Sequence, residues 1–236
     1  MKKYAFLFGN TNGLVGVQKD LQTFRDFLMS PEGGAWIKSE ISDLHENMTS
    51  TALKLELMKL KQRKLDYLIV YFSGHGGSVR EKSYIYPSDN AFIEISELEN
   101  LATRQLNIYD CCRSVDSYIQ KSICNFSMQE SANNDWGVRA AYDNRIMQAA
   151  PQQMSLYSCA LGEYSIDDDG GIFTRNLLDS AMNIKSGEKL VVDAFNEAMK
   201  QTNLNTDGKQ NPKCRMLKLL PEQQLIISKK FEHLYG

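Results

Sequence analysis

The sequence predicts an α/β protein, a three-layer sandwich in which an about six-stranded, mostly parallel sheet carries helices on both faces. Three observations predict it. Short apolar runs alternate with segments of helical period along most of the chain, the pattern of repeated strand and helix units. The run from Asp66 to Phe72 (DYLIVYF) is apolar on both faces, as a strand covered by two layers must be. The length of 236 residues, with 42% hydrophobic and 24% charged, suits one ordinary globular domain with a sizeable core, taken here as residues 1–236.

The elements follow in order. Lys3 to Gly9 reads as a first strand, and from Gly16 the residues Val17, Leu21, Phe24 and Leu28 recur at helical spacing. Ile37 to Leu44 reads as a second strand. Thr49 and Ser50 are candidate caps for a helix whose Leu53, Leu57 and Leu60 share one face. The central strand Asp66 to Phe72 runs into Ser73-Gly74-His75-Gly76-Gly77. A small strand at Tyr84 to Pro87 and a helix near Ser96 to Ala102 precede a buried strand, Leu106 to Asp110, which runs into Cys111-Cys112-Arg113-Ser114. From Val115 to Gln153 the apolar period fades, which predicts a long, partly helical or mobile loop. Met154 to Cys159 is a strand. Phe173, Leu177, Leu178 and Ala181 lie on one helical face, Val191, Phe195 and Ala198 on another, and Lys213 to Leu220 is a last strand.

Composition narrows the function classes. A net charge of −2 gives no electrostatic reason for nucleic acid or an anionic membrane as partner. The apolar run at the N-terminus is too short for a signal-peptide core, and no stretch reaches the roughly 18 apolar residues that span a bilayer, so the cytoplasm is the expected location. Five cysteines, an odd number with Cys111 and Cys112 adjacent, fit a reducing compartment better than a disulfide framework.

In a doubly wound sheet, functional groups gather beyond the carboxyl ends of the strands, where His75 and Cys112 both fall. A free thiol is only a few per cent thiolate at neutral pH, so a nucleophilic cysteine needs an imidazole nearby. On spacing alone, a turn histidine and a small buried hydrophobe account for the pair equally well.

The segments Tyr71-Phe72-Ser73-Gly74-His75-Gly76 and Tyr109-Asp110-Cys111-Cys112-Arg113-Ser114 resemble the histidine and cysteine motifs of metacaspases and their bacterial relatives. Leu14 to Asp20, Tyr84 to Asp89 (YIYPSD) and Ser158 to Thr174 are similar to family segments in the same order, so the resemblance covers Lys3 to about Leu220. It implies the caspase-like fold and a cysteine endopeptidase. Cys112 would be the nucleophile, His75 the general base or acid, and the backbone N–H groups of Gly76 and Cys112 the oxyanion donors. Strand alternation favours Cys112 over Cys111 independently, because Cys112 lies on the side of Asp110 while Cys111 points the other way. The resemblance also makes residues 115–153 an intersubunit-type loop, one that gates the enzyme, with Arg139 and Arg145 as self-cleavage candidates.

Further expectations concern specificity and ligands. The family's pocket for a P1 arginine or lysine maps onto Asp110, Asp20 and Ser73, whose carboxylates suit a guanidinium and repel a substrate carboxylate. Val17 departs from the pattern, since many relatives have cysteine there, and Asp20 also reads as a first-turn carboxylate favoured by the helix dipole. Arg113 reads as a strand-to-helix surface contact. Asp167-Asp168-Asp169 reads as a solvated loop and not a metal site. Some metacaspases need calcium; here Asp89 matches one calcium carboxylate but the later acidic pair falls at Ile95 and Ser96, so no cofactor is expected. His45, His233, Cys124, Cys159 and Cys214 lack zinc-ligand spacing. The expected partner is a protein substrate, and likeness to small bacterial family members adds an activator protein and a role as antiviral-defence or cell-death effector. Two readings from other classes stand beside this one: a catalytically silent scaffold that binds a partner, and a cysteine hydrolase acting on a non-peptide acyl group.

Overall fold

The computed structural model describes residues 1–114 and 136–230. In chain order the elements are β1 (Lys3–Gly9), α1 (Gly16–Met29), α2 (Ser50–Arg63), β2 (Leu65–Gly74), β3 (Gly76–Val79), β4 (Lys82–Ile85), β5 (Ile93–Glu94) and β6 (Ala102–Cys111). They continue as α3 (Trp136–Gln148), β7 (Gln152–Tyr157), α4 (Ile172–Met182), β8 (Glu188–Leu190), α5 (Val191–Asn205), β9 (Lys213–Arg215) and β10 (Ile226–Lys229). The main sheet has five strands in the order β1-β2-β6-β7-β9; the first four run parallel and β9 is antiparallel to β7.

Period-two alternation along the parallel strands feeds two separate cores. Ala5, Leu7, Tyr67, Ile69, Tyr71, Leu106 and Ile108 face one layer, packing with α1, α3, α4 and α5. Phe6, Phe8, Leu68, Val70, Phe72 and Tyr109 face the other, against Leu53, Leu57 and Leu60 of α2. Aromatic rings stitch the first layer to the sheet, Phe24 of α1 stacking on Tyr71 at 4.4 Å between centroids and 6° between planes. The Thr49 hydroxyl caps α2 as expected, accepting from the Ala52 N–H at 3.3 Å.

The main sheet has one strand fewer than expected because Ile37 to Leu44 does not form one. Its polar residues instead make a 3₁₀ turn at Lys38–Glu40, and the segment meets the outer edge of β1 through the isolated bridge Ala5↔Ile41 and the Ser42 hydroxyl, which accepts from the Leu7 N–H at 2.9 Å. Just beyond it Phe8↔His45 adds a second bridge, so this edge of the sheet is covered and not extended. The helix foreseen near Ser96 to Ala102 is a single 3₁₀ turn, Ile95–Leu98, and Ala102 already opens β6. The last strand is shorter than Lys213 to Leu220, and the sequence reading missed the small antiparallel sheet of β8 and β10.

The loop foreseen over 115–153 also needs correction. Lys121, Cys124 and residues 115–135 lie outside the described residues, but Trp136–Gln148 is the well-packed helix α3 and Gln152 begins β7. The apolar period is blurred there because the inward face that Val138, Tyr142 and Ile146 form also carries a buried arginine, and polar anchors add to their packing. Arg145 is buried and donates to Glu188 at 2.7 Å and to the Gln224 carbonyl at 3.1 Å. Arg139 donates to the Glu40 carboxylate at 2.6 Å. Asp143 accepts from the buried Lys3 amine at 2.6 Å, an amine whose pKa burial lowers despite that pairing. A protease needs its substrate extended, so neither Arg139 nor Arg145 is presented as a cleavable bond in this fold.

Limited trypsin digestion tests the docking. The bonds after Arg139 and Arg145 are expected to be cut no faster than the whole domain unfolds, and Tyr142→Ala, which empties a fully buried site on α3, is expected to lower stability by about 3–5 kcal/mol. Early cutting at either arginine in the native protein would show that α3 is not held.

Candidate active site

The site begins with the register of two parallel strands. β2 and β6 pair Ser73 with Asp110 and Gly74 with Cys111 as their last two rungs, so His75 and Cys112 leave the sheet as neighbours at its carboxyl edge. Gly74 makes the exit for β2. Its φ of +146° is one that side-chain-bearing residues rarely adopt, and a Cβ there would lie 2.8 Å from the Asn10 backbone nitrogen.

The loop from β1 to α1 orients the histidine. The fully buried Asn10 holds this loop, its side chain donating to the Tyr86 carbonyl at 2.8 Å and accepting from the Asn12 N–H at 3.0 Å. The Asn12 carbonyl then lies 2.6 Å from His75 Nε2. A carbonyl can only accept, so Nε2 carries the proton and Nδ1 is the ring nitrogen left with a lone pair. The sequence reading had no signal for Asn12, since a backbone carbonyl leaves no trace in residue type.

The two cysteines separate as strand alternation predicts. Cys111 is buried in the apolar layer shared with α2, and burial pushes its thiol well above the usual range. Cys112 is only partly covered, its Sγ 3.7 Å from the Ser165 carbonyl oxygen as a thiol donor. Burial raises the Cys112 thiol as well; the Asp110 carboxylate adds to this and the Ser165 backbone opposes it. Burial likewise raises Cys159, and it pushes Cys214 up to about 12. Gly76 is tightly confined, since a Cβ would meet Cys111 Sγ at 2.7 Å and the Cys112 carbonyl at 2.9 Å.

Beside Cys112 the structure brings Asp110, Asp20 and Ser73 together. The Ser73 hydroxyl donates to Asp20 Oδ2 at 2.7 Å, and the Gly171 N–H donates to both Asp20 oxygens at 2.9 and 3.1 Å. Asp110 Oδ2 accepts from the Thr174 N–H at 3.0 Å and the Thr174 hydroxyl at 2.7 Å, while Oδ1 accepts from the Ser165 hydroxyl at 2.5 Å. Asp20 and Asp110 are both buried. Burial, reinforced by the Asp110 charge, pushes the Asp20 carboxyl well above the usual carboxylate range, so the first-turn surface reading of Asp20 is set aside. Gly171 is required here, because a Cβ would lie 2.2 Å from Asp110 Oδ2.

Two further sequence expectations change. Asp167 is not merely part of a solvated run: it is half-buried, its pKa is raised first by burial and further by Asp110, and its Oδ1 accepts from the Gly170 N–H at 3.0 Å. Asp169 does face outward, paired with Lys19 at 2.6 Å. Arg113 is buried and not a surface contact. It donates to Ser83 Oγ at 2.9 Å and the Cys159 carbonyl at 3.1 Å and stacks over Tyr157, tying the residue after Cys112 to β4 and β7. Sequence reasoning passed over Ser165 and Thr174 as well, although both lie in the segment Ser158 to Thr174 that carries the family likeness.

No group of three or more His, Cys, Asp or Glu side chains is arranged to hold a metal ion among the described residues. Asp89 is engaged at the start of α2, accepting from the Ser50 N–H at 3.0 Å and hydroxyl at 2.6 Å, and Ile95 is buried. No helix among the described residues is long and apolar enough to cross a membrane. His233 lies outside the described residues.

Residues 2–222 match the family model described as the caspase domain. The fold is similar to that of caspase-1 from Spodoptera frugiperda, with a TM-score of 0.65 and 14% identity over 99% of this chain and 92% of that one. It is also similar to protein GSU0716 from Geobacter sulfurreducens, with a TM-score of 0.56 and 16% identity over 95% of this chain and 100% of that one. Among curated proteins none matches the chain.

The acidic cluster has a consequence for stability. A carboxyl whose pKa is raised on folding stabilises the fold while protonated, and that stability is lost as pH rises through the raised value. Asp20→Asn removes the loss, so it is expected to raise the thermal midpoint at pH 8 and to raise it less at pH 5. Equal shifts at both pH values would rule out ionisation of the buried Asp20 carboxyl as the cause.

Proposed function

The chain belongs to the caspase family of cysteine peptidases, and from that premise we propose that it is an endopeptidase that cuts proteins after arginine or lysine. The observation that carries the reading is one acidic cluster: Asp110, two residues before Cys112, and Asp20 of α1, on the same face of the sheet, are both buried and held by neutral donors. A P1 guanidinium or ammonium supplies the missing positive charge, whereas a P1 aspartate meets like charge.

Chemistry follows from the same geometry. His75 Nδ1 takes the Cys112 proton, the thiolate attacks the scissile carbonyl, and the backbone N–H groups of Gly76 and Cys112 receive the oxyanion. The imidazolium returns its proton to the leaving amine, which departs as the thioester forms. Water, deprotonated by His75, then attacks the thioester carbonyl and releases the carboxylate product and the thiol. The burial that raises the Cys112 thiol supports a resting state with the proton on sulfur, and so a need for the imidazole at the moment of attack. The Asn12 carbonyl supports this role for His75 by fixing the tautomer.

Fluorogenic peptides decide between this enzyme and a silent scaffold. Peptides with Arg or Lys at P1 are expected to be cut, those with Asp to lag by about four orders of magnitude in kcat/KM. Cys112→Ala and His75→Ala should each lose at least about a thousandfold, while Cys111→Ser keeps most of the activity. Efficient cutting after Asp would refute the pocket, and activity in Cys112→Ala would refute the nucleophile.

Calcium is proposed to be dispensable, because Asp89 is occupied with Ser50 and Ile95 stands where an acidic partner would be needed. Activity should survive a chelator titration. Loss with chelator and recovery with calcium but not magnesium would overturn this.

A further inference from the structure

We infer that Ser165 is a positioning residue that holds the P1 pocket and the nucleophile at one fixed spacing, through its hydroxyl on Asp110 and its backbone against Cys112. The inference rests on the acidic-pocket reading and adds a residue to it. Ser165 lies in the loop between β7 and α4, with its hydroxyl 2.5 Å from Asp110 Oδ1 and its carbonyl 3.7 Å from Cys112 Sγ. Among the described residues, no other hydrogen-bonds both groups.

The direction of the hydroxyl is determined by its neighbours. The side chain of Gln210, fully buried between α5 and β9, donates to Ser165 Oγ at 3.3 Å and to the Ser158 carbonyl at 2.9 Å. Its own amide oxygen accepts from the Ile166 N–H at 3.0 Å, which fixes which end of the amide is which. An amide N–H aimed at Oγ fills a lone pair of the hydroxyl, and the single hydroxyl proton is left to Asp110. The loop itself is pinned to the residue after the nucleophile: the Gly162 N–H donates to the Arg113 carbonyl at 2.8 Å and the Arg113 N–H to the Glu163 carbonyl at 2.9 Å. Ser165 therefore cannot shift without moving either the carboxylate or the chain that carries Cys112.

This placement matters because a cut requires two distances at once. The cationic end of P1 must reach the carboxylates while the scissile carbonyl reaches Sγ. Thr174 already occupies Asp110 Oδ2 with two bonds, so Oδ1 is the oxygen with a lone pair to offer a substrate. The Ser165 hydroxyl decides where that lone pair points.

The test compares peptides that are identical except for arginine or citrulline at P1, since citrulline keeps the shape and removes the charge. Wild type should favour arginine. Ser165→Ala is expected to raise KM for the arginine peptide by about ten- to hundredfold with kcat within about threefold, leaving the citrulline peptide nearly unchanged. Ser165→Thr should restore the preference. Because the residue acts through Asp110, adding Ser165→Ala to Asp110→Asn should cause no further loss. An equal drop for both peptides, or losses that multiply in the double variant, would make Ser165 a merely structural residue and overturn the assignment. An arginine preference fully retained in Ser165→Ala would overturn it too while leaving the pocket reading intact; no preference in the wild-type protein would bring down both.

Discussion

The pairing of β2 with β6 is the constraint on which the rest of this site depends. Both strands lie inside the sheet, each with a hydrogen-bonded neighbour on either side, so neither can slide independently. A slip of one residue would exchange the faces of Leu68, Val70 and Phe72 with those of Tyr67, Ile69 and Tyr71 and expose both cores to mismatched packing. The register that satisfies those cores is the one that puts Ser73 beside Asp110 and sends His75 and Cys112 off the sheet together. Apolar packing along the strands thus determines the geometry of polar groups at their ends.

What lies at those ends is costly to fold. Asp20 and Asp110 are buried carboxylates whose donors among the described residues are hydroxyls and backbone N–H groups, from Ser73, Gly171, Thr174 and Ser165. Neutral donors satisfy lone pairs but do not cancel charge, and burial, with the Asp110 charge beside it, raises the Asp20 carboxyl. A structural protein gains nothing from that arrangement, since an apolar pair of similar volume would fold better. Burial of this kind, which a cation would relieve, supports the proposed pocket for basic side chains.

The segment from Ser158 to Gly171 flanks the site without regular structure and is held by hydrogen bonds from two sides. Gln210 from one side and the Arg113 backbone from the other hold it by hydrogen bonds, while the Arg113 guanidinium anchors the stretch just beyond Cys112 to Ser83, Cys159 and Tyr157. A loop fixed this way can carry Ser165 and Asp167 into the acidic cluster with the accuracy of a strand.

Much of this was legible in the residues themselves. Period-two and period-3.6 patterns placed the four parallel strands and helices α1, α2, α4 and α5, because each of those elements buries an apolar face whose spacing is written in the chain. Motif likeness and alternation also singled out Cys112, His75, Asp110, Asp20 and Ser73, which the fold does bring to one edge of the sheet. Two elements escaped: α3 carries the buried Arg145 on the same face as Val138, Tyr142 and Ile146, which blurs its apolar period, and Ile37 to Leu44 serves as a cover for β1 and not as a strand. The sequence by itself determined which residue types stand at the ends of which strands. Only the tertiary structure decided that the Asn12 carbonyl meets His75, that Ser165 reaches both Asp110 and Cys112, and that Arg113 is buried, because those contacts join segments up to 63 residues apart through backbone atoms and single hydrogen bonds, which have no period and leave no pattern in composition.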